Sequence, residues 1–124
     1  MVALKINGAI DTPTVILDKI NNHFEISGNS YPEDTFEYYQ PIMQWVNQYI
    51  ENPNPKTDFI FKLVYFNSSS YKPIFDILVK LEAIKQKGFQ ASVCWHYKKE
   101  DIDMKQAGEE FSGIVDLPFK FIEM

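Results

Sequence analysis

Four residues, Asn67-Ser68-Ser69-Ser70, put three hydroxyls and a carboxamide in one short turn. Such a turn can do three things. One of its serines, Ser69 or Ser70, can cap a following helix by accepting a backbone N–H bond while Asn67 shapes the turn. A serine there can accept a phosphate, which would take hydrogen bonds from the free N–H groups at a helix start and add about −1.5 to −2 charges. A serine can also act as a nucleophile, but that needs a base with an orienting partner. His96 is the candidate base. The chain has no nucleophile-elbow glycine pattern, no phosphate-cradling glycine loop, and only five glycines in all. No catalytic residue is expected.

Metal chemistry is no better provided for. His23, Cys94 and His96 lack ligand spacing, and Cys94 points to the opposite sheet face from Trp95. His96 is expected to be structural, packed with Trp95 and Tyr97. The carboxylates Glu100, Asp101, Asp103, Glu109 and Glu110 lack the calcium-loop spacing and read as a solvated face. No metal and no cofactor is expected.

The elements flanking the turn are well marked. Before it, Asp58 to Phe66 is an apolar run with both alternating sets filled, Lys62 excepted, which predicts a strand covered on both faces, in the middle of a sheet with helices on at least one side. After it, Ile74, Ile77, Leu78, Leu81 and Ile84 recur at helical spacing up to a stop at Gly88. Gln90 to Tyr97 follows at βαβ spacing and predicts a parallel neighbour. Upstream, Leu4–Ile6 reads as an edge strand, and Val15–Leu17 with Phe24–Ser27 as a hairpin that Gly28-Asn29-Ser30 breaks. A helix is expected from Pro32 or Asp34 to Ile50, with Phe36, Tyr39, Ile42, Met43, Val46, Tyr49 and Ile50 on one stripe and a kink or late start at Pro41. A short helix ending near Gly108 and a strand at Leu117–Ile122 complete an α/β chain: a mixed β-sheet with helices packed against it, in one domain over residues 1–124.

Composition narrows the function classes. The chain has 124 residues, 45% hydrophobic and 23% charged, with ten Phe, seven Tyr and two Trp. That suits a globular domain with a thick aromatic core. A net charge of −5 with dispersed lysines argues against a nucleic-acid partner. No apolar run approaches the ~18 residues of a membrane span, so no membrane partner is expected. A lone cysteine, read as a buried reduced thiol, and an N-terminus unlike a signal peptide lead to an expected cytoplasmic location.

A strand ending in apolar residues, a hydroxyl-rich turn and a following helix resembles the phosphorylation loop of STAS domains, the anti-sigma factor antagonist fold. Ser30-Tyr31-Pro32-Glu33, Tyr65-Phe66-Asn67-Ser68-Ser69-Ser70, Asp76-Ile77-Leu78 and Trp95-His96-Tyr97, in this order and spacing, resemble one branch, the SiaC family of regulatory phosphoproteins. The resemblance implies a STAS-like fold and a partner switch. A dedicated Ser/Thr kinase would phosphorylate the first hydroxyl after the Asn, a PP2C-type phosphatase would remove the phosphate, and the unmodified form would bind and activate an output protein such as a diguanylate cyclase. By position the acceptor is Ser68, where the family pattern has threonine. Asn67, Ser69 and Ser70 would support the loop, and Ser68 is the one left without a structural task. Tyr31, Pro32 and Glu33 match a second family segment; they either start a helix or touch a partner. The alternative is a small-molecule-binding module without phosphorylation, with Trp95, Tyr65 and the serine turn forming its pocket.

Overall fold

A computed structural model describes residues 1–124. Its elements in chain order are β1 (Leu4–Ile6), β2 (Thr14–Asp18), β3 (His23–Ser30), α1 (Thr35–Tyr49), β4 (Lys56–Phe66), α2 (Ser68–Gln86), β5 (Gln90–Tyr97), α3 (Ile102–Ile114) and β6 (Phe119–Glu123). The six strands form one sheet in the order β1-β2-β3-β4-β5-β6. β1, β2 and β3 pair antiparallel, and β3 through β6 pair parallel. The sheet is therefore mixed, with one helix in each parallel crossover.

Burial alternates along the strands and shows where the helices lie. Phe59, Phe61 and Leu63 of β4 and Val93 and Trp95 of β5 are buried, and α2 packs Ile74, Ile77, Leu78, Leu81 and Ile84 into the same core. The other alternating set, with Asp58, Ile60 and Lys62 on β4 and Ser92, Cys94 and His96 on β5, is only half-buried. β4 lies inside the sheet with helices on one side, as expected, and only the reading of its second face as covered is corrected. With strand order equal to chain order, every crossover steps in the same direction, so right-handed connections stack all the helices on one side. The polar members Asp58 and Lys62 are what suit the second face to solvent.

Four further expectations change. Gly28-Asn29-Ser30 does not end β3. The strand absorbs one irregularity between Gly28 and Asn29, where glycine supplies φ +98°, and continues to Ser30. α1 starts at Thr35 behind Asp34, whose carboxylate accepts from the Glu37 N–H at 3.0 Å, and it runs through Pro41. Proline deprives only the Glu37 carbonyl of its partner, and both residues are exposed, so water can serve it. Phe36 leaves the buried stripe and is 78% exposed, whereas Trp45 joins the core. Finally, Gly108 does not stop a helix: α3 passes through it, and its bare Cα makes room for the Trp95 ring.

Candidate functional site

β3 and β4 end side by side. Ser30 is in register with Phe66, and the Asn67 N–H extends the pairing to the Ser30 carbonyl at 3.1 Å. The chain then turns at once into α2. Asn67 is the helix cap, with extended backbone and its side-chain Oδ1 accepting from the Ser70 N–H at 3.1 Å. This corrects the assignment of the cap to Ser69 or Ser70. A capping oxygen must stand two or three residues ahead of the N–H it serves, and Asn67 has that position. The three serines thereby become the first three helical residues. Asn67→Ala is expected to cost about 1 kcal/mol of stability, read as a lower urea midpoint by circular dichroism.

The serines divide sharply in their bonding. Ser70 is fully buried and donates to the Ser30 carbonyl at 2.9 Å. Because its only proton is used there, the 2.9 Å contact between the two hydroxyls has Ser30 as donor. The Tyr39 hydroxyl, 2.6 Å from Ser30 Oγ, then donates to Ser30. Burial of the Tyr39 phenol raises its pKa and keeps the proton this chain needs. Ser69 donates to Asn67 Oδ1 at 3.0 Å, so Thr35 donates to Ser69 across their 2.9 Å contact. α1, β3 and α2 are tied together by these hydroxyls. Ser68 is exposed at the first helical position, and its hydroxyl bonds to no protein group.

The second segment lies beside the first. From Ser30 the chain leaves the sheet through Tyr31, whose N–H bonds the Asp11 carbonyl and whose ring meets Tyr65 edge-on, centroids 5.9 Å apart. Pro32 is buried, and Glu33 is exposed. Tyr31, Tyr65 and Val64 are 37%, 52% and 46% exposed and leave an apolar rim at this end of the sheet. Parallel pairing of β3 with β4 brings these segments together, and no local pattern in the sequence announces it.

The other candidates lie elsewhere. Trp95 is fully buried, packed against Phe61 and Phe111, with its Nε1 donating to the Met104 carbonyl at 2.9 Å. Tyr65 faces outward, so the two do not wall a common pocket with the turn. His96 does not pack with Trp95 and Tyr97, because alternation puts it on the open face beside Lys62. Lys62 precedes Asn67 by five strand residues, roughly 16 Å, so His96 and Ser68 are not brought together. Burial and then Lys62 depress the His96 pKa, which keeps the ring neutral. Cys94 is half-buried on the same open face, not a core thiol, and burial followed by Asp58 pushes its pKa up, away from the reactive thiolate. Of the acidic stretch, Asp101 caps α3 by accepting from the Met104 N–H at 3.0 Å, and no three His, Cys, Asp or Glu residues gather as metal ligands.

Comparison with known proteins finds relatives over nearly the whole chain. The family model of SiaC family regulatory phosphoproteins matches residues 6–124. An uncharacterized protein of Pseudomonas aeruginosa (strain UCBPP-PA14) is 31% identical over 116 residues, covering 94% of this chain and 92% of the relative. The crystal structure of apo-SiaC from Pseudomonas aeruginosa superposes with a TM-score of 0.91 at 30% identity, covering 98% of this chain and 99% of that one. A crystal structure of the diguanylate cyclase SiaD in complex with its activator SiaC, from the same organism, matches with the same TM-score of 0.91, 30% identity and the same coverage.

Proposed function

This chain belongs to the SiaC family of regulatory phosphoproteins, and from that premise we propose that Ser68 is its phosphoacceptor and that the unphosphorylated form binds and activates an output protein, a diguanylate cyclase. A dedicated Ser/Thr kinase adds the phosphate and a PP2C-type phosphatase removes it. The chain itself catalyses nothing; His96, the candidate base for a serine nucleophile, lies on the open face of the sheet, away from the serines. No helix is long and apolar enough to cross a membrane, and we assign the chain to the cytoplasm, where an ATP-dependent kinase works.

The observation that carries this reading is the division of the three hydroxyls. A kinase needs an oxygen that is exposed and free to attack the γ-phosphorus. Ser70 is buried, Ser69 is held by Asn67 and Thr35, and Ser68 is neither. Its serine oxygen is the same nucleophile that threonine would offer, less one methyl group. A phosphate on it stands at the positive end of the α2 dipole, where the first N–H groups lack intrahelical partners. The modification therefore need not disturb the fold. Its effect falls on the partner: the doubly charged group lies beside the apolar rim of Tyr31, Tyr65 and Val64, where burying it unpaired is costly. Lys72, one turn along α2, is paired with Asp76 at 3.1 Å, and a phosphate at the i−4 position competes for it.

The test is co-expression with the cognate kinase, followed by intact mass and peptide mapping. One phosphate is expected, on Ser68, and absent from Ser68→Ala. A Ser68→Ala protein that still gains a phosphate on Ser69 or Ser70 refutes the assignment.

A further inference from the structure

A second concave site lies at the end of the sheet remote from Ser68, where β4, β5 and β6 begin. Lys56, the first residue of β4, stands about 33 Å along that strand from Phe66. A cavity of about 300 Å³ opens on the uncovered face there. Lys56, Lys85 and Lys120 line it from β4, α2 and β6, and Phe89, Ala91 and Pro118 give it an apolar wall. Three of the chain's twelve basic residues thus meet in one small cavity, in a protein of net charge −5.

Local structure accounts for one of the three. Lys85 stands in the last turn of α2, where a cation suits the helix dipole, and it bonds Asp116 Oδ1 at 2.9 Å. The other two have no such task. The Lys120 ammonium bonds to no protein group. Lys56 has only Asp58 nearby, at 3.8 Å, too long for a hydrogen bond, and Asp58 takes the hydroxyl of Ser92 instead. Both ammonium groups bear on one spot. Burial and then Asp58 push the pKa of Cys94 up, while Lys120, its register partner, and Lys56 oppose them. Like charges gathered in a cleft repel one another and concentrate counter-ions there.

We infer that this cavity binds a small organic anion with a flat apolar body, its charged group held by Lys56 and Lys120 and its body set against Phe89. A volume of about 300 Å³ is the lower end of the range for small-molecule sites, so the occupant is one small molecule. Phe89 is 36% exposed and offers a ring against which a planar group stacks. An inorganic ion would satisfy the ammonium groups but leave the apolar wall wet. The site is independent of the phosphorylation proposed for Ser68, and it is not a pocket of Trp95, Tyr65 and the serine turn.

The experiment titrates the isotope-labelled full chain with phenyl phosphate, inorganic phosphate and phenol, and follows the backbone amide signals by NMR. Phenyl phosphate is expected to give saturable shifts centred on Phe89, Ala91, Ser92 and Lys120. It should bind about fivefold more tightly than inorganic phosphate, which lacks the stacking body, and than phenol, which lacks the charge. Lys56→Gln combined with Lys120→Gln changes two exposed side chains, so the amide spectrum should keep its dispersion. The pair is expected to weaken phenyl phosphate about tenfold, the loss of two solvent-screened ion pairs. Lys99→Gln removes an exposed charge outside the cavity and should leave the affinity unchanged. Shifts that do not saturate, shifts centred at another place, or inorganic phosphate binding as tightly as phenyl phosphate would overturn the site. So would a loss from Lys99→Gln equal to that from the cavity pair, which would reduce the effect to net charge.

Discussion

Aspartate at Ser70 is expected to cost about 3–5 kcal/mol, the penalty of an uncompensated buried charge, whereas aspartate at Ser68 should leave stability unchanged or raise it by about 0.3–1 kcal/mol. The two positions are two residues apart on one helix, yet they differ in everything that matters to a charge. Ser70 is fully buried, and its hydroxyl is both donor to the Ser30 carbonyl and acceptor from the Ser30 hydroxyl. A carboxylate can accept but cannot donate, so the Ser30 carbonyl loses its partner and the charge finds no cation. Ser68 is exposed at the positive end of α2. Urea unfolding of the two variants at neutral pH gives the comparison. The Ser70→Asp deficit should shrink on acidification: burial raises the folded-state pKa of the new carboxyl above its unfolded value, so protonation restores stability as pH falls. Equal stability of the two variants would contradict the buried hydroxyl chain. The consequence for function is direct, because a phosphate is larger and more charged than a carboxylate. A phosphate on Ser70 should therefore cost the fold more than the aspartate does.

Gly108→Ala should destabilise the protein although it adds a single methyl group. A Cβ at this position would lie 2.5 Å from Trp95 Cδ1 and 2.6 Å from its Nε1. The ring has nowhere to go, since it is fully buried and flanked by Phe61 at 5.4 Å and Phe111 at 5.7 Å between centroids. Any shift also strains the bond from its Nε1 to the Met104 carbonyl. Overpacking of this kind costs about 1–3 kcal/mol, and the gain of up to about 1 kcal/mol from better helix propensity does not offset its upper end. Gly113, in the same helix, faces open space, and a methyl group there would meet nothing within 4 Å. Gly113→Ala should therefore stabilise α3 by about 0.5–1 kcal/mol. Urea titrations followed by tryptophan fluorescence separate the two, and a Gly108→Ala protein as stable as Gly113→Ala would rule out the close ring contact.

These two glycines also show where reading the chain stops. Gly108 carries the same local signal as a helix-ending glycine, and only the ring arriving from β5 tells a packing position from a stop. Phe36 likewise fits the apolar period of α1, but that helix is covered only where the sheet lies beneath it. The two apolar sets of β4 look equivalent in the sequence. The direction of successive crossovers decides which of them the helices bury.

What the sequence by itself determined was short-range. The strand from Gln90 to Tyr97, the buried stripe of α2 and the strand-turn-helix around Asn67 follow from periodicities and turn residues that act within a few positions. The hydroxyl-rich turn and its likeness to a family of phosphoproteins were legible for the same reason. The tertiary structure alone decided how the hydroxyls are used. Ser30 reaches Ser70 across 40 residues of chain, and Thr35 reaches Ser69 across 34, because parallel pairing sets the ends of β3 and β4 level. Register is a property of the assembled sheet, and no local run of residues contains it. The one free hydroxyl, on Ser68, is what remains after those long-range partners have been assigned.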